Sequence, residues 1–368
     1  MALLLTLGNV ARAEKWSDSW ADHCAAQFSS IDETNKVINI TSEAELALWV
    51  AKADKHVNGS DATYAGWTIN LTKDLDMTGH NWEPLWRFAG VFDGHGHTIS
   101  NLYVEKHPAT NQQDVYVGFF QSTMWSWVDT QDTGKGKNIG TVKNLKIASS
   151  TFKGGTCVGA IVARPNGIIE NCYVGSDVLV QSEMNITWYD GTRMFVGAGG
   201  IAGETVLDNG VGEIRGCISL AQVEGGYHAG GLVGVNHHPV IDCLYMGNHV
   251  VKSTVYNSGS RGWTAGEDGG SHQLRTFFTD QSLSPLNSTD KKALIYDLSR
   301  AKNKGNLVKD YGMMKGYEKG VEYDGKFYTD DPLVQLAYDG EHYLISDASS
   351  FVTGVLSVVD GGFDAFSI

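Results

Sequence analysis

A short phrase that recurs along the chain restricts its fold more than any other feature. It reads Ile99-Ser100-Asn101-Leu102-Tyr103-Val104, then Val142-Lys143-Asn144-Leu145-Lys146-Ile147, then Ile168-Ile169-Glu170-Asn171-Cys172-Tyr173-Val174. It returns as Ile214-Arg215-Gly216-Cys217-Ile218-Ser219-Leu220 and Val240-Ile241-Asp242-Cys243-Leu244-Tyr245-Met246. Apolar and polar residues alternate, which predicts a strand with one buried face. A glycine-flanked second phrase follows most copies: Val117-Gly118-Phe119-Phe120, Val158-Gly159-Ala160-Ile161, Gly199-Gly200-Ile201-Ala202-Gly203 and Gly230-Gly231-Leu232-Val233-Gly234. The repeating unit is then strand, turn, strand, turn. Leu145 and Cys172 stand 27 residues apart and Cys217 and Cys243 stand 26 apart, a length suited to one coil of an all-β parallel solenoid. The wider gap before Cys217 holds a polar and aromatic stretch over 181–193, expected to bulge as a loop.

Stacked coils place equivalent residues in columns, so Leu102, Leu145, Cys172, Cys217 and Cys243 are expected to form one interior ladder. Cysteine there acts as a small hydrophobe. Vertical disulfides and stacked free thiols both remain open at a strand spacing of about 4.8 Å. The 44 glycines against 6 prolines suit many tight turns, which need positive φ or close approach of neighbouring rungs. The five cysteines lack C-x-x-C spacing, which argues against a zinc knuckle.

Ahead of the coils, Ser42-Glu43-Ala44-Glu45 has the capping-box pattern, and Leu46, Trp49, Val50, Ala53 and Val57 follow at helical spacing. This predicts a helix over 42–56 covering the solenoid end. The last residues, from Tyr343 to Phe351 and Phe366-Ser367-Ile368, echo that opening, as if a second unit began there. Residues 1–13, apolar and then Ala11-Arg12-Ala13, read as the tail of a signal peptide, so export to the medium or a bacterial cell surface is expected. The net charge of −14, with no basic run, argues against nucleic acid. No later apolar run is long enough for direct membrane insertion.

The glycine-flanked phrases, with the segment from Phe88 through Phe92-Asp93-Gly94-His95-Gly96-His97-Thr98-Ile99 to Leu102, resemble the bacterial GLUG-motif family over roughly 40–252. One four-residue motif is weak, but its recurrence after N-L and N-C strands is specific. The resemblance implies a right-handed parallel β-helix in surface proteins, including adhesins and accessory regions of zinc peptidases that cut immunoglobulin A. It supplies no catalytic residues. The organisation expected is a signal-peptide remnant over 1–13, an N-terminal cap over 14–37 and the β-helix over 38–252. An irregular extension or loop-rich last coils would follow over 253–340, then a truncated second unit over 341–368.

The H-E-x-x-H of a zinc peptidase is absent. No cofactor or metal is expected, because His95 and His97, with His80 near, read as turn residues and His237 and His238 as part of a coil turn. A carbohydrate-active enzyme, lyase or glycoside hydrolase, is the catalytic alternative and would need paired carboxyls. The candidates are Asp74, Asp76, Glu83 and Asp93, with Glu267 and Asp268 beyond the last coil, and a lyase would also need a cation to neutralise a uronate, for which Arg87, Arg193 and Arg261 are the options. For binding, Trp82, Trp86, Trp125, Trp127, Trp188 and Tyr189 lie outside the stacked strands, where flat rings can cover the apolar face of a sugar. Either these rings contact a ligand or they pack loops onto the shaft. The partner expected is a host or environmental glycan or glycoprotein, together with the remainder of a larger surface protein.

Overall fold

The structure, a computed structural model, describes residues 13–58, 62–109, 115–123, 139–184, 197–205 and 212–252 except 242, 246 and 248. Beyond these it describes strand segments at 261–262, 265–268, 273–274, 277–279, 295–297, 321–323 and 326–328. The chain is mostly β, and its strands stack in parallel as a solenoid requires.

A complete coil runs through five short strands, each in its own sheet: Thr141–Lys143, Lys146–Ala148, Thr151–Lys153, Cys157–Gly159 and Val162–Pro165. The next coil repeats them in register, with Thr141 opposite Ile168, Lys146 opposite Tyr173, Thr151 opposite Leu179, Cys157 opposite Gly197 and Val162 opposite Ala202. Two strands per coil were expected; the recurrent phrase is itself two strands joined by a corner. At that corner Asn144, Asn171 and Gly216 adopt φ of 52°, 50° and 60°. Asparagine and glycine tolerate this left-handed region best. The left-handed residue interrupts the alternation, so Val142, Leu145 and Ile147 all turn inward and are fully buried, at spacings of three and then two.

The inward residue after the corner builds the expected column. The Cys172 amide lies 3.4 Å from the Cys217 thiol, and the Cys217 amide lies 3.4 Å from that of Cys243. All three thiols are free, so the column is one of stacked thiols. Burial pushes the Cys172 thiol well up from its ordinary value. Leu102 belongs elsewhere: Ser100 pairs with Ala148 and Tyr103 with Thr151, which sets Leu102 opposite Ser150 at the next corner. That corner also has a left-handed residue, Asn101 or Ser149, and Ile99, Leu102 and Val104 show the same inward spacing. The two corners therefore look alike in sequence.

The glycines of the second phrase work by close approach and not by positive φ. A Cβ on Gly199 would sit 2.1 Å from the Ala202 carbonyl oxygen, and one on Gly230 would sit 2.0 Å from that of Val233. The chain folds back on itself there, and Ile161, Ile201 and Leu232 at the bend form a second buried column. Their amides continue the ladder, from Ile161 to the Ile201 carbonyl and from Ile201 to that of Leu232.

The α-helix covers Glu43–Ala51, shorter than expected, and a 3-10 turn at Ala53–His56 completes the segment. Ser42 caps it by accepting from the Glu45 amide at 3.2 Å. The capping box is only half made, because the Glu45 carboxylate accepts instead from the Thr41 and Ser29 amides at 2.7 and 2.6 Å. Trp49 is fully buried, with its ring 5.4–5.7 Å from those of Phe88, Phe92 and Phe120. The helix thus closes the interior near the first coils. At the other end the stack passes residue 252: Arg261–Gly262, Ala265–Asp268, Gln273–Leu274 and Phe277–Thr279 extend four of the sheets in parallel. Ile295–Asp297 then pairs antiparallel to Phe277–Thr279 and ends that sheet. Residues 341–368 and 1–12 lie outside the described residues.

Gly230→Val should destabilise the chain by about 3 kcal/mol in urea unfolding, because backbone fills the space for a side chain. Asn171→Gly should be neutral within about 0.5 kcal/mol while Asn171→Val costs about 1–2 kcal/mol, the left-handed penalty; equal effects would show that the corner does not need this conformation.

Candidate functional site

Of the four candidate carboxylates, Asp74, Asp76 and Asp93 accept from backbone amides at turns, and Glu83 forms an ion pair. Asp74 is exposed and accepts from the Thr98 amide at 2.8 Å, with His97 Nδ1 at 3.3 Å. Asp76 accepts from the Thr78 amide and hydroxyl and from Asn101 Nδ2 at 2.7 Å. Burial alone would raise its pKa, but these Thr78 and Asn101 bonds outweigh it and hold the carboxyl below the ordinary range. Glu83 pairs with Lys106 at 2.9 Å. Asp93 is buried and accepts from the His95 amide at 2.9 Å, Asn144 Nδ2 at 3.0 Å and Lys143 Nζ at 3.2 Å. Its pKa also goes down against the opposing effect of burial, through Asn144 first and then His95 and Lys143. A glycosidase acid must be held up in pKa, and Asp76 and Asp93 are held down. Glu267 and Asp268 sit in the last strand of the fifth sheet, opposite Val235 and Asn236.

Asp93 also begins a ladder of alternating charge across successive rungs. Asp93 pairs with Lys143 in register, Lys143 stands opposite Glu170, and Glu170 meets Arg215 at 3.0 Å. A second cluster gathers on the third sheet: Glu105 accepts from Lys15 Nζ at 2.9 Å, Lys153 Nζ at 3.2 Å and the Tyr103 hydroxyl at 3.0 Å. These bonds outweigh desolvation and lower its pKa to about 2.

The aromatic candidates divide. Trp82 is buried, its ring stacked on Phe119 at 5.3 Å and its Nε1 donating to the Phe119 carbonyl at 3.0 Å, so it packs the interior and offers no ligand face. Trp125, Trp127, Trp188 and Tyr189, and Arg193 as a uronate-neutralising candidate, lie outside the described residues. Trp86 is half-buried, in an offset stack on Tyr116 with centroids 5.5 Å apart and planes at 15°. The Arg87 guanidinium lies 5.5 Å from the Trp86 ring, and that of Arg164 lies 5.6 Å from Tyr116 while donating to its hydroxyl at 2.9 Å. Arg87 adopts φ of 53°, uncommon for a long side chain and a form of strain found at ligand sites. Its conformation is held by its own amide, which donates to Ser122 Oγ at 3.1 Å, and by its carbonyl, which accepts from the Thr63 amide at 2.9 Å.

Of these four residues, the sequence singles out Trp86 as a candidate sugar-facing ring and Arg87 as a basic residue that could neutralise a uronate; it marks neither Tyr116 nor Arg164. Tyr116 stands opposite Cys157 and Arg164 opposite Ser122, on two sheets whose adjacency no local spacing encodes.

The histidines separate likewise. His95 Nε2 reaches Asn70 at 3.1 Å and His97 reaches Asp74, whereas His80 Nδ1 pairs with Asp18 at 2.6 Å. Among the described residues one group of three metal-capable side chains lies together: Asp18, His23 and His80. No described helix is long and apolar enough to cross a membrane.

No protein-family model matches the chain, and no curated protein does. Among solved structures, a putative immunoglobulin A1 protease from Bacteroides ovatus is similar at 16% identity, over 69% of this chain and 78% of that one, with a TM-score of 0.44.

The depressed pKa of Glu105 fixes a sign. Its contribution to stability is complete above about pH 4.5, its ordinary value, and is lost as the pH falls toward about 2. Thermal melts across that window should show a steeper decline for the wild type than for Glu105→Gln; parallel declines would contradict the ion-pair network.

Proposed function

We propose that the chain is a recognition module of a secreted or cell-surface bacterial protein, a right-handed parallel β-helix of the GLUG type that presents a glycan-binding surface on a rigid shaft. The observation that carries this reading is the half-buried Trp86–Tyr116 stack flanked by Arg87 and Arg164. Aromatic faces cover the apolar faces of sugar rings, and the Arg164 guanidinium, paired with Glu204 at 3.6 Å, holds the Tyr116 hydroxyl in place. The backbone beneath is fixed, because Trp86 and Arg87 carbonyls accept from the Thr63 hydroxyl and amide. A backbone held this firmly lowers the ordering cost of binding. The partner is a glycan, free or on a glycoprotein, and the shaft separates this surface from the rest of a larger protein. The acidic balance of the chain agrees with the absence of nucleic acid among its partners.

The test is a glycan array followed by titration of the best ligand. Trp86→Ala and Tyr116→Ala should each weaken binding at least about tenfold, roughly 1.4 kcal/mol, with far-UV circular dichroism unchanged. An array without any bound glycan, or variants that bind as the wild type does, would remove the reading.

A further inference from the structure

The segment Trp16 to Cys24 lies along the loop between Met77 and Trp82 and is fastened there mainly by Asn81. That side chain accepts from the Trp16 amide at 3.0 Å and donates to the Trp16 and Asp18 carbonyls at 2.9 and 2.8 Å. The Asn81 backbone bonds to Asp18 and Trp20, and Trp20 Nε1 donates to the Met77 carbonyl at 2.9 Å. Two independent stretches of chain are thus locked together before any ligand arrives.

Within this lock three side chains converge. Ser19 caps the 3-10 turn Trp20–His23, which puts Asp18 just before the turn and His23 at its end. The two Asp18 carboxylate oxygens are shared, one facing His80 Nδ1 at 2.6 Å and the other His23 Nε2 at 3.0 Å. The two imidazoles stack at 3.6 Å between centroids, and Trp20 stands edge-on to His80 at 4.8 Å. The donor atoms all lie within 4.8 Å of one another, and the side chains are 40%, 41% and 23% exposed for Asp18, His23 and His80. None of the three has a part in the glycan surface.

We propose that Asp18, His23 and His80 bind a divalent transition-metal ion of the zinc class. Two neutral imidazoles and one carboxylate form a borderline donor set that suits zinc, copper, nickel or ferrous iron. Calcium and magnesium are poorly served, since they take six or more oxygen ligands. Three protein ligands leave one tetrahedral position for water or an added ligand. Because His80 comes from the first coils and the other two from the N-terminal segment, the ion would clamp that segment to the shaft, coupling metal binding to its docking.

The experiment is isothermal titration of zinc chloride into the metal-stripped full-length chain, with cobalt absorption in the visible region as a second readout. One zinc ion per chain at this site is expected, with cobalt d–d bands and a rise in melting temperature. His23→Ala, His80→Ala and Asp18→Asn should each weaken binding at least about tenfold, and calcium should not compete. His23→Gln, at the open end of the 3-10 turn, repeats the readout if His80→Ala fails to fold. Zinc affinity unchanged in both histidine variants, no binding up to roughly 1 mM, or equal competition by calcium would each overturn the proposal.

Discussion

The hydrogen bonds between coils, which continue through the corners with the Cys172 and Cys217 amides turned to thiols of the next coil, are the constraint on which the other features depend. At the left-handed corner the Asn144 amide reaches the Glu170 carbonyl, Asn171 reaches Arg215 and Gly216 reaches Ile241. One residue later the Leu145, Cys172 and Cys217 carbonyls accept from Tyr173, Ile218 and Leu244. A corner that left these groups unpaired in the interior would cost about 1–3 kcal/mol per group. Because each corner keeps its bonds, one coil lies directly over the next, and every inward side chain meets its counterpart. The columns of Val142, Ile169 and Ile214, or of Ile161, Ile201 and Leu232, are consequences of that register.

The outer surface follows the same rule with charges. Residues that stack must be compatible with what lies above and below, so Asp93, Lys143, Glu170 and Arg215 alternate in sign up one face. Asp93 is engaged in this way, Asp74 and Asp76 accept from turn amides, and Glu83 pairs with Lys106. Trp86 and Tyr116 meet away from these charge columns, Trp86 on the segment between strands and Tyr116 at the start of a strand in the fourth sheet.

Much of the parallel stacking was legible in the sequence, because inward residues recur with their phrases: the Leu145–Cys172–Cys217–Cys243 column could be read from the repeated phrase despite the wider gap before Cys217. The five-strand division was not, since one left-handed residue splits a phrase that alternation presents as continuous. Leu102 was misplaced because two successive corners share the same inward spacing of three and two. Half of the capping box failed because Glu45 finds better donors in Thr41 and Ser29 than its own cap. The site residues were less legible still. Trp82 and Trp86 are four residues apart, yet one is interior against Phe119 and the other half-buried against Tyr116. Asp18 and His80 are joined only by the path of the N-terminal segment, which no motif spacing records.

The shaft, its aromatic surface and its clamped N-terminal segment all presuppose coils stacked one rung at a time. Electron–electron resonance distances test that directly, using a spin label on outward-facing Asn39, a second on Glu170 or Arg215, and Cys24→Ser to remove the half-buried thiol. Asn39, Asn70, Asp93, Lys143, Glu170 and Arg215 succeed one another in register on one sheet. The separations should therefore be roughly 19 Å and 24 Å, growing by about 4.8 Å for the added coil. Equal separations, or a shorter one to Arg215, would contradict the stacked-coil architecture.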